Sequence, residues 1–255
     1  MPDRHDTITV VSMAVVASAA ATLLHEAVGH GVTAWLRGDI PTELTSNHLS
    51  DVRADRLVSA GGTIVNLVAG GLSLLAARGL GERANARYFF WLLGALNLLP
   101  GAGYFLFSGV CGIGDWQAVI AGVPHYALVR IAMTVLGLGF YMLAVRLLGV
   151  TVTPFSHGRR DYNAVARTPY YAACVFSCVA GAFDPLGLKV FFMSTVPAAF
   201  GGLSGLMWGD NYVPERETAP ALWVRRQAGW WIVAAVVGVA YVLVVGRGIE
   251  FAHKG

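Results

Sequence analysis

Long apolar runs separated by short polar segments dominate the chain. Six of these runs approach or exceed the roughly 20 residues that a helix needs to cross about 30 Å of hydrocarbon at about 1.5 Å per residue. They cover, in approximate bounds, residues 8–36, 57–77, 88–108, 126–149, 170–203 and 229–246. The pattern predicts an all-α fold, a polytopic membrane helix bundle of about six transmembrane helices.

Two interruptions in the apolar pattern indicate a re-entrant or broken segment. SGVCGIGDWQAVIAGVP at 108–124 is rich in glycine and too short to cross as an independent helix. Irregular backbone at membrane depth is tolerated where protein or water satisfies its amides, so we expect this piece to be partly buried. Asp184 and Pro185 break the fifth run, because proline removes a helical hydrogen bond and clashes with the preceding turn.

The composition supports a membrane protein. The 255 residues are 56% hydrophobic and 13% charged, with a mean hydropathy of +0.59, whereas a soluble domain carries about 25% charged residues. The net charge of +3 is spread over many short segments, so no basic patch indicates nucleic acid binding. Without a repeat or a low-complexity linker, we predict one integral, multi-pass domain over 1–255 that contacts the lipid bilayer.

The first apolar run and the flanking charges bear on orientation. The run lacks a clear small-residue cleavage site and is longer than a signal-peptide core, so we expect it to be retained as a span. In a six-span arrangement, Lys and Arg are more numerous on the side of the amino terminus. By the positive-inside rule, both termini are predicted to be cytoplasmic.

Candidate chemistry begins at HEAVGH, residues 25–30, inside the first run. An ionisable side chain within a bilayer is costly, so it persists mainly where it faces protein and has a partner. Imidazole and carboxylate are the usual zinc ligands besides thiolate, and a catalytic zinc keeps three protein ligands and a water. We therefore predict a Zn²⁺ site that includes His25 and His30.

The spacing of HEAVGH is one residue longer than the HExxH motif, whose histidines share one face of a helix. At about 100° per residue, side chains five positions apart point roughly 140° apart on a regular α-helix. A π-helical turn restores a common face, and Gly29 would ease that distortion. In the alternative arrangement Glu26 and His30 are the ligands, and His25 supports them or transfers a proton.

Three short motifs occur in the order found in a known family. HEAVGHGVTAWLRG at 25–38 resembles the HELGHA-type first motif of the site-2 protease group of intramembrane metalloproteases, peptidase family M50. GGTIVN at 61–66 is similar to that family's AGPxxN segment, and NLLP at 97–100 is similar to its NxxP element. The soluble dipeptidyl peptidases with a HELLGH motif use a six-residue version of the zinc motif. The resemblance implies a zinc-dependent peptidase that cuts a membrane protein or peptide.

The resemblance also implies roles for single residues. Glu26 corresponds to the general base, and Asn66 and Asn97 correspond to residues near the substrate backbone. The family's NxxP element is soon followed by a metal-binding Asp in a DG pair, whereas this chain has Phe105 eight residues after Asn97. Asp115 is the nearest downstream acid, and we predict it as the third ligand on a loop that folds back.

Asp184, in the broken fifth run, is the competing third ligand. The resemblance covers a metalloprotease-like core of about 8–125 and leaves additional helices over 126–255 without a counterpart. The changed spacing and missing DG pair keep two other functions open: a non-proteolytic metal-binding or transport membrane protein, and an inactive relative. The remaining histidines lie near chain ends or loops, where solvated histidines are common, and are not predicted as ligands: His5, His48, His125, His157 and His253.

Overall fold

The computed structural model describes residues 4–53, 55–156, 159–214 and 222–251. Within these ranges the helices are α1 (Thr7–Leu36), α2 (Arg56–Gly79), α3 (Ala84–Cys111), α4 (Asp115–Ile120), α5 (Tyr126–Thr151), α6 (159–181), α7 (Leu188–Tyr212) and α8 (Ala228–Val245). The strands are β1 (Pro41–Leu44), β2 (Leu49–Asp51) and β3 (Ile249–Glu250). Six helices, all except α4 and α6, are long and apolar enough to cross a membrane. The predicted all-α membrane bundle is confirmed.

Aspartates set the starts of the first two long helices. The Asp6 carboxylate accepts a hydrogen bond from the Thr9 amide at 2.9 Å, and Asp55 accepts one from the Leu57 amide at 2.7 Å. Each bond satisfies one of the amides that a helix start leaves without a partner. Gly112 ends α3 with a φ of 69°, a conformation that glycine adopts without steric cost.

The bundle is apolar on both its inside and its outside. Tyr88, Trp91 and Leu99 of α3 are almost fully buried in the main core, which also receives residues from α1, α5 and α6. Large apolar side chains of α5 and α8, such as Leu143 and Val236, are more than half exposed. In a soluble protein such a surface would be unusual, whereas hydrocarbon is its natural surrounding.

The fifth predicted segment, 170–203, is two helices rather than one broken span. The Tyr170 hydroxyl of α6 donates to the Phe200 carbonyl of α7 at 3.1 Å, and the Cys174 thiol donates to the Ala199 carbonyl at 3.3 Å. These pairs show that α6 and α7 run antiparallel. Asp184 lies in the turn between them, so the predicted break is a complete reversal of the chain.

The first and last long helices run in the same direction. At their starts, the Asp6 amide donates to the Val224 carbonyl at 2.9 Å. Beyond their ends, β3 pairs with β1 in the small antiparallel sheet, whose strand order is β2-β1-β3. The described ends of the chain therefore lie at opposite ends of the bundle, which differs from the predicted common side. The difference arises because α6 and α7 are two antiparallel helices where the sequence pattern suggested one segment.

Candidate metal centre

A π-helical segment carries the central histidines. It covers Leu24–Val32 in the second half of α1, and this confirms the predicted π-helical turn at HEAVGH. The Nε2 atoms of His25 and His30 lie 3.2 Å apart, and both side chains are buried. Shorter π-helical segments also occur in α6, α7 and α8, so the side chains rather than the helix type distinguish this position.

Glycines allow α2 to approach the histidines closely. A Cβ atom on Gly29 would overlap the backbone of Gly61 and Gly62, so the two helices touch backbone to backbone. A Cβ atom on Gly62 would lie only 2.6 Å from the Nε2 atoms of both His25 and His30. Gly29, which was expected to ease the π-helical distortion, also permits this close helix packing.

Hydrogen bonds at the Nδ1 atoms orient both imidazoles. His30 Nδ1 lies 2.7 Å from the Val58 carbonyl oxygen, to which it donates, so Nε2 of a neutral His30 has a free lone pair. His25 Nδ1 lies 3.0 Å from the side-chain amide of Asn66. The two ends of an amide are assigned from hydrogen bonding, and the Asn66 Oδ1 atom is otherwise buried without a partner. With Asn66 Oδ1 turned to His25, His25 Nδ1 donates to it, and the Nε2 atom of a neutral His25 therefore also has a free lone pair.

Asp115 joins the two histidines from the start of α4. Its Oδ2 atom lies 3.2 Å from His25 Nε2 and 3.5 Å from His30 Nε2. Gly114, with a φ of 85°, turns the chain into α4, and the Trp116 indole donates to Thr63 Oγ1 of α2 at 3.0 Å. The glycine-rich segment therefore folds back against the bundle.

Asp115 places a carboxylate oxygen against both imidazoles. Its Oδ2 atom is buried without a hydrogen-bond donor, because in these tautomers each Nε2 atom presents a lone pair. A buried carboxylate oxygen beside two imidazole nitrogens is a position that a cation would stabilise.

The spacing of the three atoms fits a tetrahedral zinc site. Ligand atoms about 2.0–2.1 Å from zinc, at tetrahedral angles, lie about 3.3–3.4 Å from one another. The observed separations among His25 Nε2, His30 Nε2 and Asp115 Oδ2 are 3.2, 3.2 and 3.5 Å. Hydrogen bonds from Nδ1 to a carbonyl or side-chain oxygen are also usual for metal-binding histidines. The residues present therefore fit a divalent metal.

Glu26 lies beside these atoms. A carboxylate oxygen of Glu26 lies within 4.8 Å of an imidazole nitrogen of His25 and of one of His30. The Oε2 atom of Glu26 is buried without a hydrogen-bond partner. Glu26 also lines a cavity of about 110 Å³ together with His25, Asn66 and Tyr104. Its position is compatible with both arrangements left open by the sequence, as a metal ligand or as a base next to one.

The structure separates Asp184 and Asn97 from the central histidines. Asp184 Oδ2 accepts a hydrogen bond from Asn47 Nδ2 at 2.9 Å and lies 3.6 Å from His48 Nδ1. Burial alone would raise the pKa of Asp184, but hydrogen bonds with His48, Asn47 and the Leu186 amide lower it to about 2. Asn97 donates to the Leu93 carbonyl of its own helix at 2.8 Å and does not line the cavity. The contacts of Asp184 are therefore with groups outside the central histidines, whereas Asn97 Oδ1 is buried without a hydrogen-bond partner.

Two of the other histidines are more enclosed than predicted. His5 is buried and lies 2.9 Å from the Phe155 carbonyl oxygen, which joins the amino-terminal end to the residues after α5. His48 lies between Glu43 and Asp184, and its pKa is raised, because these carboxylates outweigh a burial effect that would lower it. His125 precedes α5, and His157 and His253 lie outside the described residues.

Tyr104 was not identified from the sequence. Its ring stacks on the imidazole of His25 with a centroid distance of 4.9 Å and an interplanar angle of 13°, and it lines the cavity. Tyr104 follows Asn97 by seven residues, two helical turns, so a search along that face of α3 would have found it.

Searches against protein families, curated proteins and solved structures found no match for this chain.

Proposed function

We propose that this protein is a zinc-dependent intramembrane peptidase of the site-2 type. The observation that carries the proposal is the convergence of His25 Nε2, His30 Nε2 and Asp115 Oδ2 within 3.5 Å of one another, next to Glu26, whose Oε2 atom is buried without a partner. Three protein ligands and a neighbouring acid are what a hydrolytic zinc site requires. The residue motifs shared with site-2 proteases support the same conclusion.

In this proposal His25, His30 and Asp115 hold the metal. When bound there, zinc lowers the pKa of a water molecule and polarises a peptide carbonyl. Glu26 accepts the proton from the attacking water, because its Oε2 atom has no other partner. Asn66 and the Val58 carbonyl keep the imidazoles in the tautomer that faces the metal, and Tyr104 covers the ring of His25.

The polar lining of the cavity suits an extended peptide. Buried polar atoms without a partner border it at Ser18, Glu26 and Ser46. Backbone amides and carbonyls of an extended chain are the complementary groups, so the substrate is a locally unwound segment of a membrane protein or peptide.

Metal analysis tests the proposal. The purified protein, prepared without chelators, is expected to contain about one zinc per chain. Asp115→Ala is expected to reduce the zinc content to less than about a tenth, because it removes one of three ligands. Asp184→Ala removes the competing carboxylate and is expected to leave the zinc content unchanged. Inductively coupled plasma mass spectrometry measures both.

Other outcomes of these measurements would select the other functions. Loss of zinc on Asp184→Ala alone would make Asp184 the ligand and contradict the assignment of Asp115. A wild-type protein without zinc would point to an inactive relative. Metal flux into liposomes, with no cleavage of any peptide, would point to a transporter.

We also propose an orientation in which the amino-terminal end of the bundle faces the cytoplasm. Among the described residues, that end carries Arg4, Arg78, Arg83, Arg87, Arg146, Arg159, Arg160, Arg167, Arg225 and Arg226. The opposite end carries Arg37, Arg53, Arg56, Arg130, Lys189 and Arg247. By the positive-inside rule, the end with more basic residues is cytoplasmic, and the small sheet lies on the other side.

Reporter fusions check this orientation. A reporter that fluoresces only in the cytoplasm is expected to fluoresce when joined to the amino terminus and not when joined to the carboxyl terminus. A reporter that is active only outside the cytoplasm is expected to give the opposite result. Equal signals from both fusions would contradict the parallel arrangement of α1 and α8.

A further inference from the structure

A four-residue loop lines one end of the cavity. The loop, residues 45–48, connects β1 to β2 and is called the hairpin loop below. Its Ser46 and Asn47 line the cavity together with Thr195 of α7, on the side of the bundle that carries the sheet. The central histidines lie in the second half of α1, which ends on this same side. The hairpin loop therefore separates the candidate metal centre from the space around the sheet.

The Asn47 side chain ties the hairpin loop to two other elements. Asn47 Nδ2 donates to Asp184 Oδ2 in the α6–α7 turn at 2.9 Å, and Asn47 Oδ1 accepts from Thr195 Oγ1 of α7 at 2.6 Å. His48 adds a contact, with Nδ1 3.6 Å from the same Asp184 oxygen. One amide thus uses both of its ends to join the loop to the hairpin formed by α6 and α7.

Asp184 makes this connection strong. Its side chain has no solvent exposure, and its carboxylate also accepts a hydrogen bond from the Leu186 amide at 2.9 Å. A buried carboxylate that loses a donor is left with a large desolvation cost, so the closed arrangement is held by a charge-assisted bond. The backbone of the hairpin loop is bonded within the loop: the Thr45 amide donates to the His48 carbonyl, and the Thr45 hydroxyl accepts from the Asn47 and His48 amides at 3.1 and 3.2 Å. These bonds do not tie the loop to other elements, so it can move as a unit.

We propose that the hairpin loop is a gate to the cavity, latched by Asn47 between Asp184 and Thr195. Opening breaks the two Asn47 bonds and admits an extended peptide segment from the side of the sheet. Closing excludes water from Glu26 and the histidines. The identity of the incoming segment rests on the proposed peptidase function, whereas the movement of the gate does not.

Thiol accessibility tests the gate without any cleavage assay. The reporter is a thiol introduced by Ser18→Cys, a small change at a buried residue that lines the cavity. A water-soluble methanethiosulfonate reagent is added to the purified protein, and modification of the reporter peptide is followed by mass spectrometry. The exposed native Cys111 serves as an internal reference for reagent activity.

Asn47→Ala is expected to increase the rate of reporter modification at least about tenfold, because it removes both latch bonds. Thr195→Val, which keeps the shape of the side chain and removes one donor, is expected to increase the rate by a smaller factor. The matched control is Ser50→Ala in β2, a change on the same β-hairpin outside the latch, and it is expected to leave the rate unchanged.

Two results would overturn the gate. Equal rates in the Asn47→Ala, Thr195→Val and Ser50→Ala proteins would show that the latch does not control access. If the reporter reacts as fast as Cys111 in a protein that keeps Asn47 and Thr195, the cavity is already open by another route, including a lateral one between helices. Zinc content, measured on the same samples, separates this outcome from failure of the proposed function, since a gate can fail while the metal remains bound.

Discussion

Glu26→Gln is expected to reduce peptide cleavage by about a hundredfold to ten-thousandfold while the protein keeps its zinc. General-base catalysis contributes a factor of this size, and glutamine cannot accept the proton. The metal is retained because the two imidazoles and Asp115 do not depend on the Glu26 charge for their positions. The measurement is cleavage of a fluorogenic peptide library in detergent micelles, with zinc determined on the same samples.

A matched control separates loss of the base from loss of a negative charge. Glu43→Gln makes the same chemical change in β1, at a carboxylate that contacts His48 and does not line the cavity. It is expected to leave cleavage within about twofold of wild type. Zinc loss in the Glu26→Gln protein would instead favour the alternative arrangement, in which Glu26 and His30 are ligands and His25 supports them. Undiminished cleavage with zinc retained would remove Glu26 from the reaction.

Gly62→Ala is expected to lower the zinc content to less than about a tenth of that of wild type. The added methyl group would lie 2.6 Å from Nε2 of both His25 and His30, so the imidazoles must rotate away or the helices must separate. Overpacking of this kind also costs typically about 1–3 kcal/mol of folding stability. Zinc analysis and thermal unfolding of the purified variant measure the two effects.

The control for this change lies nine residues further along the same helix. Nothing approaches within 4 Å of a Cβ atom on Gly71, so Gly71→Ala is expected to retain zinc. Because alanine is favoured over glycine in a helix by up to about 1 kcal/mol, it is expected to raise the unfolding temperature slightly. Full zinc in the Gly62→Ala protein would show that the imidazoles do not meet next to α2, and the assigned site would be wrong.

The pattern of apolar residues was sufficient for the type of fold but not for the division of the fifth segment into two helices. Six runs appeared because each is long and apolar over most of its length. The run at 170–203 hid a reversal, since Asp184 and Pro185 can mark either a kinked helix or a turn. The antiparallel contacts of Tyr170 and Cys174 with α7 distinguish the two, and they are tertiary contacts without a sequence signature.

The histidine pair could be predicted from local spacing, whereas most of its surroundings depend on contacts between distant parts of the chain. The i to i+5 separation of His25 and His30 is meaningful only on a π-helical segment, and that segment is present. Asn66 of the second motif contacts His25 of the first motif, whereas Asn97 of the third motif bonds within its own helix. Tyr104, Gly62 and the latch at Asn47 depend on how separate helices pack, which one sequence does not reveal.

On the nine-residue π-helical segment, the HExxxH spacing of this chain differs from the HExxH spacing by a single residue. Val28 lies between the two histidines with its side chain 42% exposed on the outer surface. Removing this one residue would leave HEAGH, in which the histidines are four apart and share a face of a regular α-helix. Gly29, which touches α2, would be kept. A gain or loss of a single codon is thus enough to interconvert the two spacings.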